Sequence, residues 1–276
     1  MNKHDTRYVM LSFDTEEFDI PREQGRTIPL EEKIHVSEAG TNLILDVLKQ
    51  EKVRATFFCT TTLLLNAPEL ADRIINEGHE MASHGCDHAN PQPEHVAESK
   101  QLLEKEFGVR IHGYRQPRMF KVDNKVLLRE GYSYNSSINP AFIPGRYMNL
   151  TISRMPFVKE GILQIPASVT PWIRFPLFWL SAHHLPMWFY ELLVRRTLKH
   201  DGFFNTYFHP WEFVRILHVP EYGVPFLIGH NTGEPMQKRL RHLIQALKAD
   251  GAVFITYHEF AKTQNKHETD DGYPML

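Results

Sequence analysis

Residues 8–19 read YVMLSFDTEEFD. A short apolar run enters a cluster of acids, Asp14, Glu16, Glu17 and Asp19. This is the pattern of a buried strand in a parallel sheet, delivering Asp14 at its C-terminal end. Side chains alternate along a strand, so Asp14 and Glu16 share a face and Thr15 takes the other. Parallel α/β scaffolds collect their chemistry at such strand ends. The stretch therefore raises a fold and a site together.

The chain downstream repeats the alternation. Ser37 is the expected cap of a helix through EAGTNLILDVLKQE (38–51), followed by a strand in VRATFFCT (53–60). APELADRIINEG (67–78) is the next helix, with Gly78 as its stop, and a short strand then approaches His84. EHVAESKQLLEKEFG (94–108), RIHGYR (110–115) and DNKVLLREG (123–131) continue as helix, strand and helix. A less regular stretch, about 140–195, reads as short extended segments and a hairpin. Order returns with a helix near 186–200, the strand FFNTYF (203–208), the helix PMQKRLRHLIQALKADG (235–251) and the strand AVFITY (252–257). Such βα repetition predicts a parallel sheet or barrel. With no internal repeat or linker, residues 1–276 read as a single catalytic domain with an irregular, aromatic-rich insertion.

Composition bounds the possibilities. At 42% hydrophobic and 23% charged the chain has ample core material, and a net charge of -2 gives no electrostatic reason to expect nucleic acid. Cys59 and Cys86 make no disulfide framework, which fits a reducing compartment. The first residues carry no long apolar run or cleavage site, so the expected location is the cytoplasm.

The strand ends give a short set of candidates: Asp14 and Glu16, then His84 and His88, then Arg115, then His209, with His258 after the last strand. Two imidazoles four residues apart can reach one metal if the segment makes a helical turn, and a carboxylate from a neighbouring strand end completes three ligands. On its own the His-x-x-x-His spacing is equally the mark of a polar loop. His79 falls at the far end of its strand. Asp87 is either an orienting partner for an imidazole or a loop cap, and Cys86 is a bystander. Trp211, beside His209, is a candidate platform for a sugar face or a packing residue.

Taken in order, SFDTE (12–16), SHGCDH (83–88), YRQPRMF (114–120) and YFHPWEF (207–213), with YNSSI (134–138) after the third, resemble the polysaccharide deacetylase family. These are the NodB-homology, carbohydrate esterase family 4-like proteins. The resemblance spans roughly residues 8–260 and is weakest between 140 and 195. It implies a distorted (β/α)7-type barrel, a divalent metal that is commonly zinc, and hydrolysis of an N-acetyl group on a sugar. By resemblance Asp14 is the base, Glu16, His84 and His88 the metal ligands, Arg115 the partner of the base, and His209 the acid. One departure stands out. Many members carry adjacent aspartates, whereas here Thr15 separates Asp14 from Glu16, so the two roles could be exchanged, or Glu17 or Asp19 could take part. Other family relatives hydrolyse cyclic amides or imides, and a carbohydrate-binding protein without activity is a third reading.

Residues 171–193 hold a second unusual feature, rich in Trp, Phe, Leu and Pro. Prolines and charges interrupt it too often for a membrane span. It is either helices packed on the barrel or an apolar shelf for a membrane surface or a lipid-linked sugar. The implied partner is thus an N-acetylated sugar or glycan, with a lipid-linked form among the candidates.

Overall fold

The computed structural model describes residues 6–143 and 147–270. Residues 144–146, inside the irregular insertion, and residues 1–5, where a leader was sought, lie outside this range. The strands are β1 Tyr8–Thr15, β2 Thr56–Cys59, β3 Glu80–Ser83, β4 Gly113–Tyr114, β5 Tyr134–Asn135, β6 Phe142–Ile143, β7 Tyr147–Met148, β8 Phe157–Lys159, β9 Ile162–Gln164, β10 Phe203–Phe208 and β11 Val253–Phe254. The helices are α1 Ile20–Glu23, α2 Leu30–Glu51, α3 Thr61–Asn66, α4 Pro68–Asn76, α5 His95–Phe107, α6 Asn124–Arg129, α7 Trp179–His184, α8 Met187–Asp201, α9 Phe226–Gly229, α10 Glu234–Ala249 and α11 Tyr257–Asp270.

Parallel strands follow one another as β10-β1-β2-β3-β4-β5-β9, and β8 adds antiparallel at the end. The sheet curls into a distorted, incompletely closed α/β barrel. β10 covers one edge of β1; β2 and β11 share the other, β11 at Tyr8–Val9 and β2 from Ser12 onward. Side-chain alternation along β1 divides the core in two. Val9, Leu11 and Phe13 meet the helices, while Met10 joins Phe58, Ala82, Tyr134, Ile165 and Tyr257 inside the barrel. Asp14 follows Met10 and Ser12 on that inner row. Its register partner is Phe58.

The seam of the barrel lies between β10 and the segment after β9. Two side chains fasten it: Asn205 Oδ1 accepts from the Ser168 N–H at 3.0 Å, and its amide nitrogen donates to the Pro166 carbonyl at 2.9 Å. In return the Asn205 backbone N–H donates to Ser168 Oγ at 2.9 Å.

Several boundaries differ from the sequence expectation. α2 begins at Leu30 after Pro29, with Glu31 and Glu32 in its first turn, so Ser37 lies inside the helix rather than capping it. RIHGYR and AVFITY contribute only two residues each to strands, because the curled sheet limits their pairing. The irregular insertion holds two small hairpins, β6-β7 and β8-β9, before α7 and α8.

Candidate active site

Register carries the candidate residues to one level. Ser83, Tyr114 and Asn135 are aligned across β3, β4 and β5, so His84, Arg115 and Ser136 leave the sheet side by side. Phe13 pairs with Phe208, which brings His209 next to Asp14. Asp14, Glu16, His84, His88 and His209 line a cavity of about 930 Å³ at the C-terminal end of the barrel, with Arg115 and Ser136 enclosed behind Asp14. That is the upper range for a small-ligand pocket.

Glu16, His84 and His88 converge. Glu16 Oε2 lies 3.0 Å from His84 Nε2 and 3.2 Å from His88 Nε2. The other ring nitrogens fix the tautomers: His84 Nδ1 is 2.7 Å from the Arg115 carbonyl, and His88 Nδ1 is 3.4 Å from Asp19 Oδ2. Both Nδ1 atoms therefore act as donors, and both Nε2 atoms are left facing Glu16. Three electron-pair donors facing one another need a proton or a cation among them. Two imidazoles with a carboxylate, each imidazole braced by an acceptor on its far side, is a donor set that suits a divalent ion.

The ligand segment is not a helical turn. Gly85 adopts φ +76°, a left-handed conformation, and His84 and His88 are brought together by a loop. Asp87 caps that loop, its Oδ1 accepting from Ala89 N–H at 2.7 Å and Asn90 N–H at 3.2 Å. Asp19 instead braces His88, and is itself paired with Lys33 at 2.8 Å.

Arg115 is fully enclosed. Its Nη1 donates to Asp14 and to Ser12 Oγ at 3.0 Å, Nη2 to Ser136 Oγ at 3.0 Å and Tyr257 Oη at 3.2 Å, and Nε to the Ser136 carbonyl at 3.1 Å. The guanidinium lies 3.9 Å above the Phe58 ring, a cation–π contact. Burial pushes the Asp14 carboxyl upward, but Arg115, with His84 and His209, outweighs it and holds Asp14 below the usual carboxylate range. Burial drives Glu16 the other way, up to about 7. It also lowers His84 to about 4.

His209 faces this group from β10. Glu212 Oε1 accepts from its backbone N–H at 2.6 Å and from Nδ1 at 2.9 Å. Burial opposes charge on His209, yet the hydrogen bond to Glu212, with the charges of Glu16, Glu212 and Asp14, raises it to about 9. Trp211 stacks on the His209 ring at 5.4 Å and 18°, with Trp179 edge-on at 5.7 Å. At 3% exposure Trp211 is mostly packed against Phe18, Val36 and their neighbours, and only its edge meets the cavity.

His258 is not at this site. It stacks on His112 at 3.7 Å beside the opposite opening, with His79, Arg54 and Arg110. Its predecessor, Tyr257, is the residue that reaches Arg115. Ser12, Ser136, Tyr257 and Asp19 were not assigned from sequence. In the sequence Asp19 stands open as a participant in the acidic cluster, and Ser12 and Ser136 fall within the SFDTE and YNSSI segments without being singled out.

Known proteins share parts of this sequence and its fold. The polysaccharide deacetylase family model matches residues 2–135. A chitooligosaccharide deacetylase of Bradyrhizobium is 51% identical over 45 residues, 16% of this chain and 20% of that protein. The match thus spans about a fifth of that relative's length. A solved structure assigned as a polysaccharide deacetylase, from Mycobacterium smegmatis, superposes with a TM-score of 0.68 at 18% identity, covering 97% of this chain and 93% of that one. An allantoinase superposes with a TM-score of 0.65 at 14% identity over 95% and 91% of the two chains. The fold is shared over nearly the full length, and the family match takes in the strand that carries Asp14 and Glu16 and the loop that carries both imidazoles. Over residues 2–135 the chain matches the polysaccharide deacetylase family, and it shares that family's fold.

Proposed function

We propose that the protein is a divalent-metal-dependent hydrolase that removes the N-acetyl group from an acetamido sugar during polysaccharide or glycan biosynthesis. The observation that carries this reading is the convergence of Glu16, His84 and His88 beside the Asp14–Arg115 pair, with His209 facing them. Glu16, His84 and His88 would hold the ion, and zinc suits that set. When bound, a divalent ion would polarise the amide carbonyl and acidify water.

The residues supply the rest. Asp14, kept ionised by Arg115, takes the proton of the attacking water. Arg115 cannot drift, since Ser12, Ser136 and Tyr257 hold its other nitrogens. His209 offers a positive charge to the oxyanion and then its proton to the departing nitrogen. The C–N bond breaks with its electron pair on nitrogen, leaving acetate and a free amino sugar. Trp211 keeps the His209 ring upright and gives the sugar an apolar edge to rest against.

A lipid-linked form of the sugar fits the surroundings. Trp172, Ile173 and Trp188 are 86%, 72% and 70% exposed, and Phe120 and Leu227 are exposed on the cavity wall. The contact we propose is peripheral and the location cytoplasmic; none of the described helices is long and apolar enough to cross a membrane.

The test is metal content with acetate release. Asp14→Asn is expected to keep the metal and lose about 10²–10⁴-fold in turnover, the usual worth of a general base. His84→Ala is expected to lose both. Retained turnover in Asp14→Asn moves the base elsewhere. A folded, metal-loaded protein that frees no acetate from N-acetylated sugars replaces this reading with cyclic amide hydrolysis or with binding alone.

A further inference from the structure

Behind His209 lies a second buried histidine that none of these steps uses. Glu212 is completely enclosed. One of its oxygens is taken up by His209; the other, Oε2, is 2.9 Å from Nε2 of His183, on α7. His183 is enclosed too, and its Nδ1 lies 2.9 Å from the His230 carbonyl. A carbonyl only accepts, so Nδ1 carries a proton. Nε2 then meets a carboxyl oxygen, and two bare acceptors at this distance would repel. One proton must lie between them. The pair is either imidazolium with carboxylate or imidazole with carboxylic acid. In both forms the charge that Glu212 shows to His209 is offset from behind.

We propose that His183 is a positioning residue for proton delivery, sharing a proton with Glu212 and so limiting how tightly that carboxyl holds the proton of His209. The inference rests on His209 acting as the acid proposed above. When the amine leaves, nitrogen takes the proton from Nε2 of His209. Nδ1 of His209 keeps its proton on Glu212, and the His183–Glu212 pair keeps the shared one. His209 ends neutral and regains a proton from solvent. Without His183, a buried and uncompensated carboxylate would face His209, and the imidazolium would release its proton less readily. An acid works best when its affinity for the proton matches the working pH, so a counterweight behind Glu212 bears directly on how His209 works.

The charged and titratable groups facing His209 are Glu212 on its own turn, Asp14 and Glu16 from β1 and the loop beyond, and His84 after β3. Those around His183 are Glu212, His184 and His230, with Trp179 and Trp211 as uncharged walls.

The experiment is an NMR titration of the His209 ring in the full, metal-loaded chain, compared with His183→Gln. Glutamine can donate to Glu212 but brings no shareable proton. The expected result is a midpoint raised by about one pH unit, tenfold in proton affinity, with the alkaline limb of the kcat profile moving alike and KM unchanged. An unmoved midpoint in folded His183→Gln overturns the proposal. Should that variant not fold, nitrogen-labelled histidine in the unaltered protein decides. A proton held between His183 Nε2 and Glu212, on either partner, supports it, and an Nε2 with no proton between it and Glu212 overturns it. The titration needs no turnover, so the two readings can fail separately. A moved midpoint without acetate release removes the deacetylase reading and keeps the relay; acetate release with an unmoved midpoint does the reverse.

Discussion

Burial lifts the Glu16 carboxyl to about 7 against the pull of His88 and His209, and Asp14 and Asp19 add to the rise. A carboxyl raised on folding favours the native state while it is protonated. That benefit is whole below the unfolded value near 4.5 and disappears as pH climbs through about 7. Without a divalent ion Glu16 should account for a loss of roughly 3 kcal/mol across that window, the worth of its shift from 4.5 to about 7. A bound ion should cancel the loss. Denaturation midpoints at pH 5 and pH 8, with and without a chelator, check this: the gain from metal should be small at the lower pH and large at the higher. Equal gains would remove Glu16 from the ligand set. Residues of this kind were legible in the sequence because an acid, an imidazole or a guanidinium at the end of an apolar strand has few structural reasons to be there. Ser12, Ser136 and Tyr257 were not, because a hydroxyl acquires its role only from the partner that packing supplies. His258 was misplaced for a related reason: α11 starts at Tyr257, so Tyr257 faces the site and His258 the opposite opening.

Elements set how firmly the acid is held. The turn Pro210–Phe213, which presents His209, rests on α2 at Gly40; a β-carbon there would stand 2.0 Å from the Pro210 carbonyl oxygen. Gly40→Ala must push the turn away from α2. We expect a loss of about 1–3 kcal/mol in stability, the usual cost of overpacking, and a fall in kcat that exceeds the change in KM. A thermal melt beside steady-state kinetics measures both, and unchanged kcat would show that the turn yields without moving His209. The elements themselves were largely legible, since FFNTYF and the helix through 235–249 follow simple hydrophobic periods. Their ends were less so. Pro29 with Glu31 and Glu32 is a real N-terminal signal for α2, but Ser37 offered a rival one, and only packing chose. The His-x-x-x-His spacing suggested a helical turn, whereas Gly85 in the left-handed region makes a loop that achieves the same convergence.

For the molecule as a whole, the exposed rings of Trp172, after the hairpins, and Trp188, on α8, raise the question of what that surface meets. If that face meets lipid, vesicles with a lipid-linked acetamido sugar should retain the protein, and Trp172→Ala with Trp188→Ala should release it. Cosedimentation reads this, and indifference to vesicles would leave the aromatics as ordinary surface. The alternation of strands and helices was enough to anticipate a barrel, but the manner of its closure was not, because one asparagine in a strand carries no visible sign of what it will bridge. That closure has a dynamic consequence. A strand edge joined by a backbone ladder opens only when many bonds break together, whereas the fastening here rests on the side chains of Asn205 and Ser168 alone. Local opening there should need far less free energy than global unfolding. In hydrogen exchange the Ser168 and Asn205 amides should already be less protected than those of β1 and β2. Asn205→Ala should speed them further while leaving β1 and β2 slow, making the seam the place where the barrel breathes.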